Sequence, residues 1–508
     1  MQNLLLILIV VAVFPAIAQQ AKQVELLNAD RLLGRKIDGQ QVNILIGNVK
    51  LKHDSSIFYC DSAHLIRATN SFNAFDNVYI MVSDSVDIYA DRLEYDGNTR
   101  IAELFDNVKL IDANKATLYT DYLLYDRNTR IAYYNTGGRI VDKENELISE
   151  IGYYYTSDEI FHFKQDVVLT TPDYLMLSDT LKYHTETEIA YITGPTNIIG
   201  EEDSVYCERG WYDTQNDIAD LRVNAFVKHK EQTISGDSLF YNKKTGYGRA
   251  ENNVVITDSL QEVIVKGNLA ILKEEEYHAW ITDSTLAIFI DNRDSLFLHA
   301  DTMKVLLDSN KQAETVIAYN HVKFFRTDLQ GLCDSLVYHV KDSLIAMYKG
   351  PALWSDENQL TADSIKIALN NQAIDSMALY NNCFIISRDG ENTFNQIKGK
   401  QMVGYFKHNE IFKITVSGNS ESIYFVREED NNELIGINIA VASDMLIYLE
   451  DRKMTDITYI TQPKAPLYPD KDVAPQDRRL RGFKWLGFNR PSKMQDIFYW
   501  NTGTSLED

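Results

Sequence analysis

The chain has few cysteines, few prolines and no excess of positive charge. Its 508 residues include 4 Cys and 9 Pro, and 50 Lys and Arg face 73 Asp and Glu, which gives a formal net charge of −23. So few cysteines exclude a disulfide-stapled miniprotein. The acidic excess argues against a nucleic-acid partner, because such proteins concentrate Lys and Arg on one face. The 45% of hydrophobic residues can bury a large core, which excludes wholesale disorder.

Long apolar runs are also scarce, and the one that stands out lies at the N-terminus. Residues 4–14 are apolar, and Pro15 and the small-x-small triplet Ala16-Ile17-Ala18 follow. This pattern predicts a signal peptide over residues 1–18 and therefore export from the cytoplasm. The run is too short to span a bilayer, so a retained membrane anchor is the weaker alternative.

Motifs that would indicate catalysis are missing. The sequence has no phosphate-binding loop, dinucleotide fingerprint, nucleophile elbow or paired histidines. We therefore predict no enzyme, no cofactor and no metal site. A pair of carboxylates could serve a polysaccharide-cleaving enzyme. However, among 73 acidic residues almost any such pair could occur by chance, so the pair is not evidence for a site.

The dominant feature is an internal repeat. A small residue is followed by Asp or Glu, any residue, an apolar residue, any residue and usually Tyr, as in residues 90–95 and 178–183. The acidic residues at 61, 91, 121, 150, 179, 208 and 237 are 29 or 30 residues apart, which indicates a stacked repeat. The predicted structural corner residues are Asp61, Asp91, Asp121, Asp179, Asp237 and Asp334.

A second signal lies sixteen residues after many of these acids, as in Asn77-Val78 and Asn107-Val108. Short alternating apolar stretches surround both signals and predict strands joined by polar turns. The inward parity changes at the small-Asp step, so each strand must bend there to keep one face inward. We expect the Asp to bond to backbone groups that the bend leaves free.

These observations predict one elongated all-β architecture, a solenoid or a curved trough built from stacked repeats of about 30 residues. The repeat is regular over residues 19–270 and less regular over residues 271–460. An interior lined by apolar side chains could be an open groove or a closed dry core, and the sequence leaves both possible. The predicted lining residues are Ile88, Leu93, Tyr95, Leu123, Tyr125, Leu181, Tyr183, Leu239, Tyr241, Leu336 and Tyr338.

Residues 461–508 differ in composition from the repeat. This tail is rich in proline, and the basic residues Arg478, Arg479 and Arg481 lie near Trp485. It is either an irregular cap or a segment that docks onto a partner, an anionic lipid headgroup or a membrane surface.

The repeat resembles the OstA-like family, which comprises the periplasmic bridge component of lipopolysaccharide transport and the N-terminal domain of its outer-membrane translocon. Residues 90–96 (ADRLEYD) and 47–51 (GNVKL) carry the resemblance. It implies an elongated β-jelly-roll, a V-shaped β solenoid of stacked antiparallel strands. It also implies a place in the periplasm, in association with the outer membrane, and an apolar groove that shields acyl chains. The implied partners are lipopolysaccharide or a related glycolipid, other jelly-roll components joined end to end, and the outer-membrane translocon. A structural or scaffolding solenoid of the cell envelope with a closed core is the alternative.

Overall fold

The computed structural model describes residues 23–82, 86–112, 116–142, 144–291, 294–370, 373–407, 410–428, 430–450 and 453–501. The predicted signal peptide lies outside these residues. The chain divides into two compact units, unit 1 up to Ile198 and unit 2 from Ile199 onward. The division of the stack at residue 270 stays a prediction. No helix within the described residues is long and apolar enough to cross a lipid bilayer.

Unit 1 consists of antiparallel strands that pair mostly with their neighbours in the chain. Strands β3 to β8 pair in succession, and the shorter β9 and β10 both pair with β8. The strands are β1 (Glu25–Asn28), β2 (Arg31–Ile37), β3 (Gln40–His53), β4 (Ser56–Ile66), β5 (Ser71–Met81), β6 (Val86–Asp96), β7 (Ile101–Asp112), β8 (Ala116–Asp126), β9 (Ile131–Tyr134), β10 (Gly138–Asp142), β11 (Asn145–Ser149), β12 (Ile151–Tyr155), β13 (Ile160–Thr170), β14 (Leu175–His184) and β15 (Ile189–Ile192). Strand β16 (Thr196–Ile199) runs over the boundary.

Polar turns close the hairpins because their side chains bond to the local backbone. The Asp96 carboxylate accepts a hydrogen bond from the backbone N–H of Asn98 at 2.7 Å, and Asp126 does the same for Asn128 at 2.8 Å. Arg100 and Arg130 complete these turns in the left-handed region, at φ 63° and 56°. These contacts fix the hairpin register that the alternating apolar residues then exploit.

Each long strand bends in the middle, at a two-residue bulge. Between β5 and β6, Phe75 pairs with Arg92 and Val78 pairs with Ala90, so residues 76 and 77 face Asp91 alone. Asp76 and Asn77 both have positive φ, at 59° and 50°. Pairs of residues with positive φ recur at 106–107, 165–166, 223–224, 252–253, 283–284, 320–321 and 381–382.

The bends divide each strand between two arms that face each other. In unit 1 the first arm contains residues 49–53 and 56–60, and the second arm contains residues 43–46 and 62–66, with the same division in later strands. Residues that flank a bulge with the same parity point between the arms. The all-β, antiparallel prediction is confirmed.

Unit 2 repeats this design. Strands β19 to β26 pair in succession, and so do β31 to β35. The strands are β17 (Asp203–Cys207), β18 (Arg209–Asp213), β19 (Ile218–His229), β20 (Gln232–Asn242), β21 (Tyr247–Asp258), β22 (Val263–Lys273), β23 (His278–Phe289), β24 (Leu296–Leu307), β25 (Ala313–Arg326), β26 (Leu329–His339), β27 (Leu344–Tyr348), β28 (Ala352–Ser355), β29 (Asn358–Thr361), β30 (Ser364–Asn370), β31 (Ala373–Arg388), β32 (Phe394–Lys407), β33 (Glu410–Arg427), β34 (Leu434–Glu450), β35 (Lys453–Ile460) and β36 (Leu467–Tyr468).

After β36 the chain turns back over unit 2 as an irregular segment with four short 3₁₀ helices, Asp470–Asp472, Pro475–Arg478, Gly487–Asn489 and Met494–Phe498. We call residues 470–501 the C-terminal segment. It starts beside β34 and ends beside β24 and β25.

Candidate functional site

The corner carboxylates bond mainly to the side chain that lies sixteen residues later. The Asn77 amide donates to Asp61 at 2.7 Å and the Asn107 amide donates to Asp91 at 2.6 Å. Asn253 donates to Asp237 at 3.1 Å in the same way. The sixteen-residue spacing is therefore the distance along the chain between the two partners of one corner.

The remaining predicted corner residues have other surroundings. The Asp179 carboxylate accepts from the Thr180 hydroxyl at 2.9 Å. The Lys349 ammonium lies 2.9 Å from Asp334 and lowers the pKa of that carboxyl through its hydrogen bond. Asp121 faces a glycine, Gly137, where other repeats have Asn. Five of the six predicted corner acids thus bond to a side chain. Asp61, Asp91 and Asp237 bond to an Asn of the bulge, Asp179 bonds to Thr180, and Asp334 bonds to Lys349.

The interior of unit 1 is closed. The predicted lining residues Ile88, Leu93 and Leu123 are 0% exposed, and Tyr95 and Tyr125 are 2% and 5% exposed. Leu181 is also buried, and Tyr183 is half-buried. Side chains from the two arms fill the space between them at the density of a protein core.

Contacts across the two arms hold this interior shut. Phe58 of the first arm packs against Phe72 and Tyr95 of the second, with ring centroids 5.1 and 4.7 Å apart. The Tyr95 hydroxyl lies 2.7 Å from Nδ1 of His53 and accepts from the Arg127 guanidinium at 3.0 Å. Each buried polar group here has a partner, so closing the arms leaves no desolvated donor or acceptor uncompensated.

A second polar bridge lies further along unit 1. The Tyr154 hydroxyl donates to the Asp112 carboxylate at 2.6 Å, and both side chains are buried. Burial and the neighbouring carboxylate raise the pKa of Tyr154. The phenol is therefore neutral over the physiological range and remains a hydrogen-bond donor.

Strands β19 to β22 of unit 2 have the same inward positions, but these are open. Tyr241 occupies the position that Tyr95 has in unit 1, yet it is 38% exposed, against 2% for Tyr95. Leu239 beside the corner is buried, and Leu336 and Tyr338 are half-buried. The inner row of the first arm is half-buried as well: Val227, Ile234, Ile256 and Val265. We call these four residues with Tyr241 and Leu272 the open row.

The sequence predicts only one of the six open-row residues, Tyr241. Apart from Ile88, the predicted lining residues belong to the Leu and Tyr positions of the second-arm motif, whereas four of the six open-row residues lie on the first arm. The alternation that follows each bulge, as in residues 254–256, is the signal that could have found them.

Chemically, the open row is an apolar wall with one polar tip. The Tyr241 hydroxyl donates to Glu274 at 3.1 Å, and burial together with that carboxylate raises the pKa of Tyr241 to about 12. The wall is thus uncharged at neutral pH. Covering such surface with an alkyl chain contributes about 0.8 kcal/mol per buried CH₂, so the row can hold a lipid chain by burial alone.

Among the predicted tail residues, the Trp485 side chain packs against the strands of unit 2, whereas Arg478 and Arg479 contact other residues of the C-terminal segment. Arg478 donates to the backbone carbonyls of Val473 and Asp470, at 3.1 and 2.8 Å. Arg479 lies over the Phe483 ring, 5.0 Å from its centroid, and Trp485 packs against Phe394. Arg481 is exposed.

The four cysteines are free and buried, at Cys60, Cys207, Cys333 and Cys383. Burial raises the pKa of each thiol, for example that of Cys383 to about 11. Among the described residues, no cluster of His, Cys, Asp and Glu could hold a metal ion. The thiols therefore act as small corner side chains.

The fold and the apolar interior define a class of antiparallel β protein with an inner surface between two arms. Residues 21–179 match the family model described as OstA-like protein, which confirms the predicted resemblance over that part of the chain. A solved structure of LptH from Pseudomonas aeruginosa, described as the LptA homologous periplasmic component of a lipopolysaccharide transport device, is 14% identical. The match covers 23% of this chain and 83% of that one, with a TM-score of 0.20. The comparison with curated proteins gave no match.

Proposed function

We propose that this protein binds the acyl chains of lipopolysaccharide or a related glycolipid and takes part in moving that lipid to the outer membrane. The observation that carries the proposal is the open row of unit 2, where the inward apolar side chains are half-buried or exposed. The OstA-like match over residues 21–179 supports the same role. No covalent step is involved.

The closed interior of unit 1 favours a second role for that part of the chain. All of its predicted lining residues except Tyr183 are buried and offer a lipid almost no surface, so unit 1 serves in this proposal as a rigid scaffold. The sequence left open an accessible lipid groove and a closed structural core. In this proposal unit 2 has the groove and unit 1 has the closed core.

The N-terminal edge of unit 1 suggests how the protein joins other components. Among the residues that the structure describes, strand β2 pairs only with β3, and Leu32 and Leu33 on it are 52% and 54% exposed. An edge strand with exposed apolar residues is suited to pairing with a strand of another jelly-roll. We therefore propose that this edge makes the end-to-end contact with other transport components, and with an outer-membrane translocon, in the periplasm.

The lipid proposal can be tested with two adjacent aromatic positions. Tyr241 points between the arms, whereas Phe240 points to the outer face and packs near Tyr247. A photoreactive phenylalanine analogue at 241 is expected to crosslink to lipopolysaccharide in cells, and the same analogue at 240 is not. Equal crosslinking at both positions, or none at position 241 in a folded protein, would contradict the proposal.

A further inference from the structure

The C-terminal segment lies on the outer face of the first arm of unit 2, opposite the interior. Cys383 follows the bulge at 381–382 and points inward, so Phe384 and Ile386 on either side of Ile385 point outward. These two outward residues belong to a cluster with Val473, Leu480 and Phe483 of the segment. The interior face of the same strands is left untouched by the segment.

Two buried glutamines bind the backbone of the segment. The Gln396 amide donates to the carbonyl of Arg478 and accepts from the N–H of Leu480, both at 2.8 Å. Gln359 does the same with the carbonyl of Lys484 and the N–H of Leu486, both at 2.7 Å. Each side chain thus pairs with two backbone groups two residues apart, as a neighbouring strand would.

The far end of the segment is fixed by charged groups. Arg490 donates to the Gln330 side chain at 2.8 Å and to the Asp356 carbonyl at 2.7 Å. The Lys323 ammonium donates to the carbonyl of Tyr499 at 2.5 Å and lies 5.0 Å from the Trp500 ring centroid. Gln330, Gln359, Gln396 and Lys323 are each at most 2% exposed, so these contacts are buried ones.

The inner face changes at the strands where the segment ends. Along the first arm, Val265 on β22 is half-buried, whereas Ala287 on β23, Leu298 on β24 and Phe324 on β25 are 5%, 7% and 6% exposed. The segment cannot cover these inner residues because it lies on the opposite face. Their burial therefore comes from the interior side, from neighbouring strands and from the second arm.

We propose that the C-terminal segment is a brace that holds the first arm of unit 2 closed from β24 to β34, so that its release lengthens the open row toward the C-terminal strands. The regulatory role of this brace rests on the proposed function, because the site that it would regulate is the lipid-binding open row. Its release exposes Phe394, Ile423 and Phe425. A partner that displaces the segment must cover this row, because exposing it to water is unfavourable.

Two corner cysteines report on the closure directly. Cys333 and Cys383 point into the braced interior, whereas Cys207 lies in unit 2 before the open row and Cys60 lies in unit 1. Maleimide labelling rates of all four thiols are measured in the full-length chain, in the double variant Gln359→Ala/Gln396→Ala and in Arg490→Ala. Trypsin cleavage after Arg481 and Lys484 reports release of the segment.

We expect Cys383 and Cys333 to label at least tenfold faster in the variants, in step with cleavage at Arg481, while Cys60 keeps its rate. Cleavage without faster labelling of Cys383 would overturn the proposal. An equal rise at all four thiols in both variants would also overturn it, because the segment would then stabilise the whole fold. The readout contains no lipid, so its outcome is independent of crosslinking at Tyr241.

Discussion

At the scale of single residues, the Asn of each corner meets two requirements at once. It occupies the left-handed region, at φ 50° for Asn77 and 49° for Asn107, which Asn tolerates better than most residues. Its amide also reaches the acid on the preceding strand. The recurrence of Asn at this position follows from backbone conformation and hydrogen bonding together.

These two contributions separate in variants of Asn107. Asn107→Gly keeps the left-handed conformation and loses the bond to Asp91, at a cost of about 1 kcal/mol. Asn107→Ala loses the bond and adds the left-handed penalty of about 1–2 kcal/mol. We expect urea denaturation to rank stability as wild type, then Gly, then Ala. Equal stability of the two variants would show that backbone conformation makes no separate contribution.

Lys323 is the residue whose charge state is coupled to the C-terminal segment. Burial lowers the pKa of Lys323 to about 8, against about 10.4 for an unfolded chain. Between these pH values the unfolded state binds more protons at Lys323 than the folded state does. The contribution of Lys323 to the free energy of unfolding therefore increases as pH rises from about 8 to about 10.4. The gain is at most about 3 kcal/mol.

The measurement compares urea unfolding of the wild type and Lys323→Met at pH 7.5 and pH 9.5. The comparison removes the effects of tyrosines and cysteines, which titrate in both proteins. We expect the stability of the wild type relative to the variant to increase at the higher pH. A difference that does not change with pH would contradict the assignment.

At the scale of elements, the repeat is interrupted in unit 1 where β9 and β10 replace one long strand. The Tyr134 ring lies against Gly138 and Gly152, and a Cβ added at Gly152 would lie 2.2 Å from that ring. The Tyr134 hydroxyl lies 2.6 Å from that of Ser149. The two glycines make room for a buried aromatic side chain that fills the break in the repeat.

Gly152→Ala is therefore expected to destabilise the protein by about 1–3 kcal/mol through overpacking. Combining it with Tyr134→Leu should cost less than the sum of the two single changes, because the leucine removes the ring that the new methyl group would meet. Thermal unfolding of the four proteins in the cycle measures this coupling. Additive effects would show that the destabilisation by Gly152→Ala does not come from contact with the Tyr134 ring.

The bent strands could be predicted because each corner is encoded locally. The small-Asp step and the Asn sixteen residues later mark both sides of one bulge, and the parity change between residues 88 and 93 requires a bend. Closure could not be predicted in the same way. Tyr95 and Tyr241 have the same local motif, but Tyr95 is 2% exposed and packs against Phe58 and Phe72, whereas Tyr241 is 38% exposed.

The position of the C-terminal segment on unit 2 could not be predicted from local sequence patterns for a related reason. Gln359 and Gln396 look like surface residues in the sequence, and their partners lie 125 and 82 residues away along the chain. The tail composition indicated an irregular segment with basic and aromatic residues. That composition did not indicate which strands the segment would contact.

At the scale of the whole molecule, the chain has a net charge of −23 and 45% hydrophobic residues. These two features belong to different surfaces, the charge to the outer faces and turns and the hydrophobic residues mainly to the space between the arms. Charged residues lie on the turns and outer faces, as the exposed ion pairs of Arg222 with Asp220 and Lys349 with Asp334 illustrate. The apolar residues between the arms are mostly closed off in unit 1 and partly accessible in unit 2. Apolar composition alone therefore does not determine where a lipid can bind.

This difference predicts opposite effects for equivalent substitutions. Ile88 and Ile256 both lie two positions from a corner on the first arm, and Ile88 is 0% exposed whereas Ile256 is half-buried. Ile88→Ser should lower the free energy of unfolding by about 3–5 kcal/mol, because it leaves a cavity and buries a hydroxyl. Ile256→Ser should cost about 1 kcal/mol or less, because much of the side chain already meets water.

Binding of fluorescently labelled lipopolysaccharide should follow the reverse order. The pair Ile234→Ser and Ile256→Ser, made together, removes alkyl surface from the open row and should weaken binding at least tenfold while the protein stays folded. Ile88→Ser, studied under conditions where it is still folded, should bind as the wild type does. Loss of binding in Ile88→Ser with retained binding in the double variant would move the lipid site into unit 1, because only an interior that opens there could then account for the result.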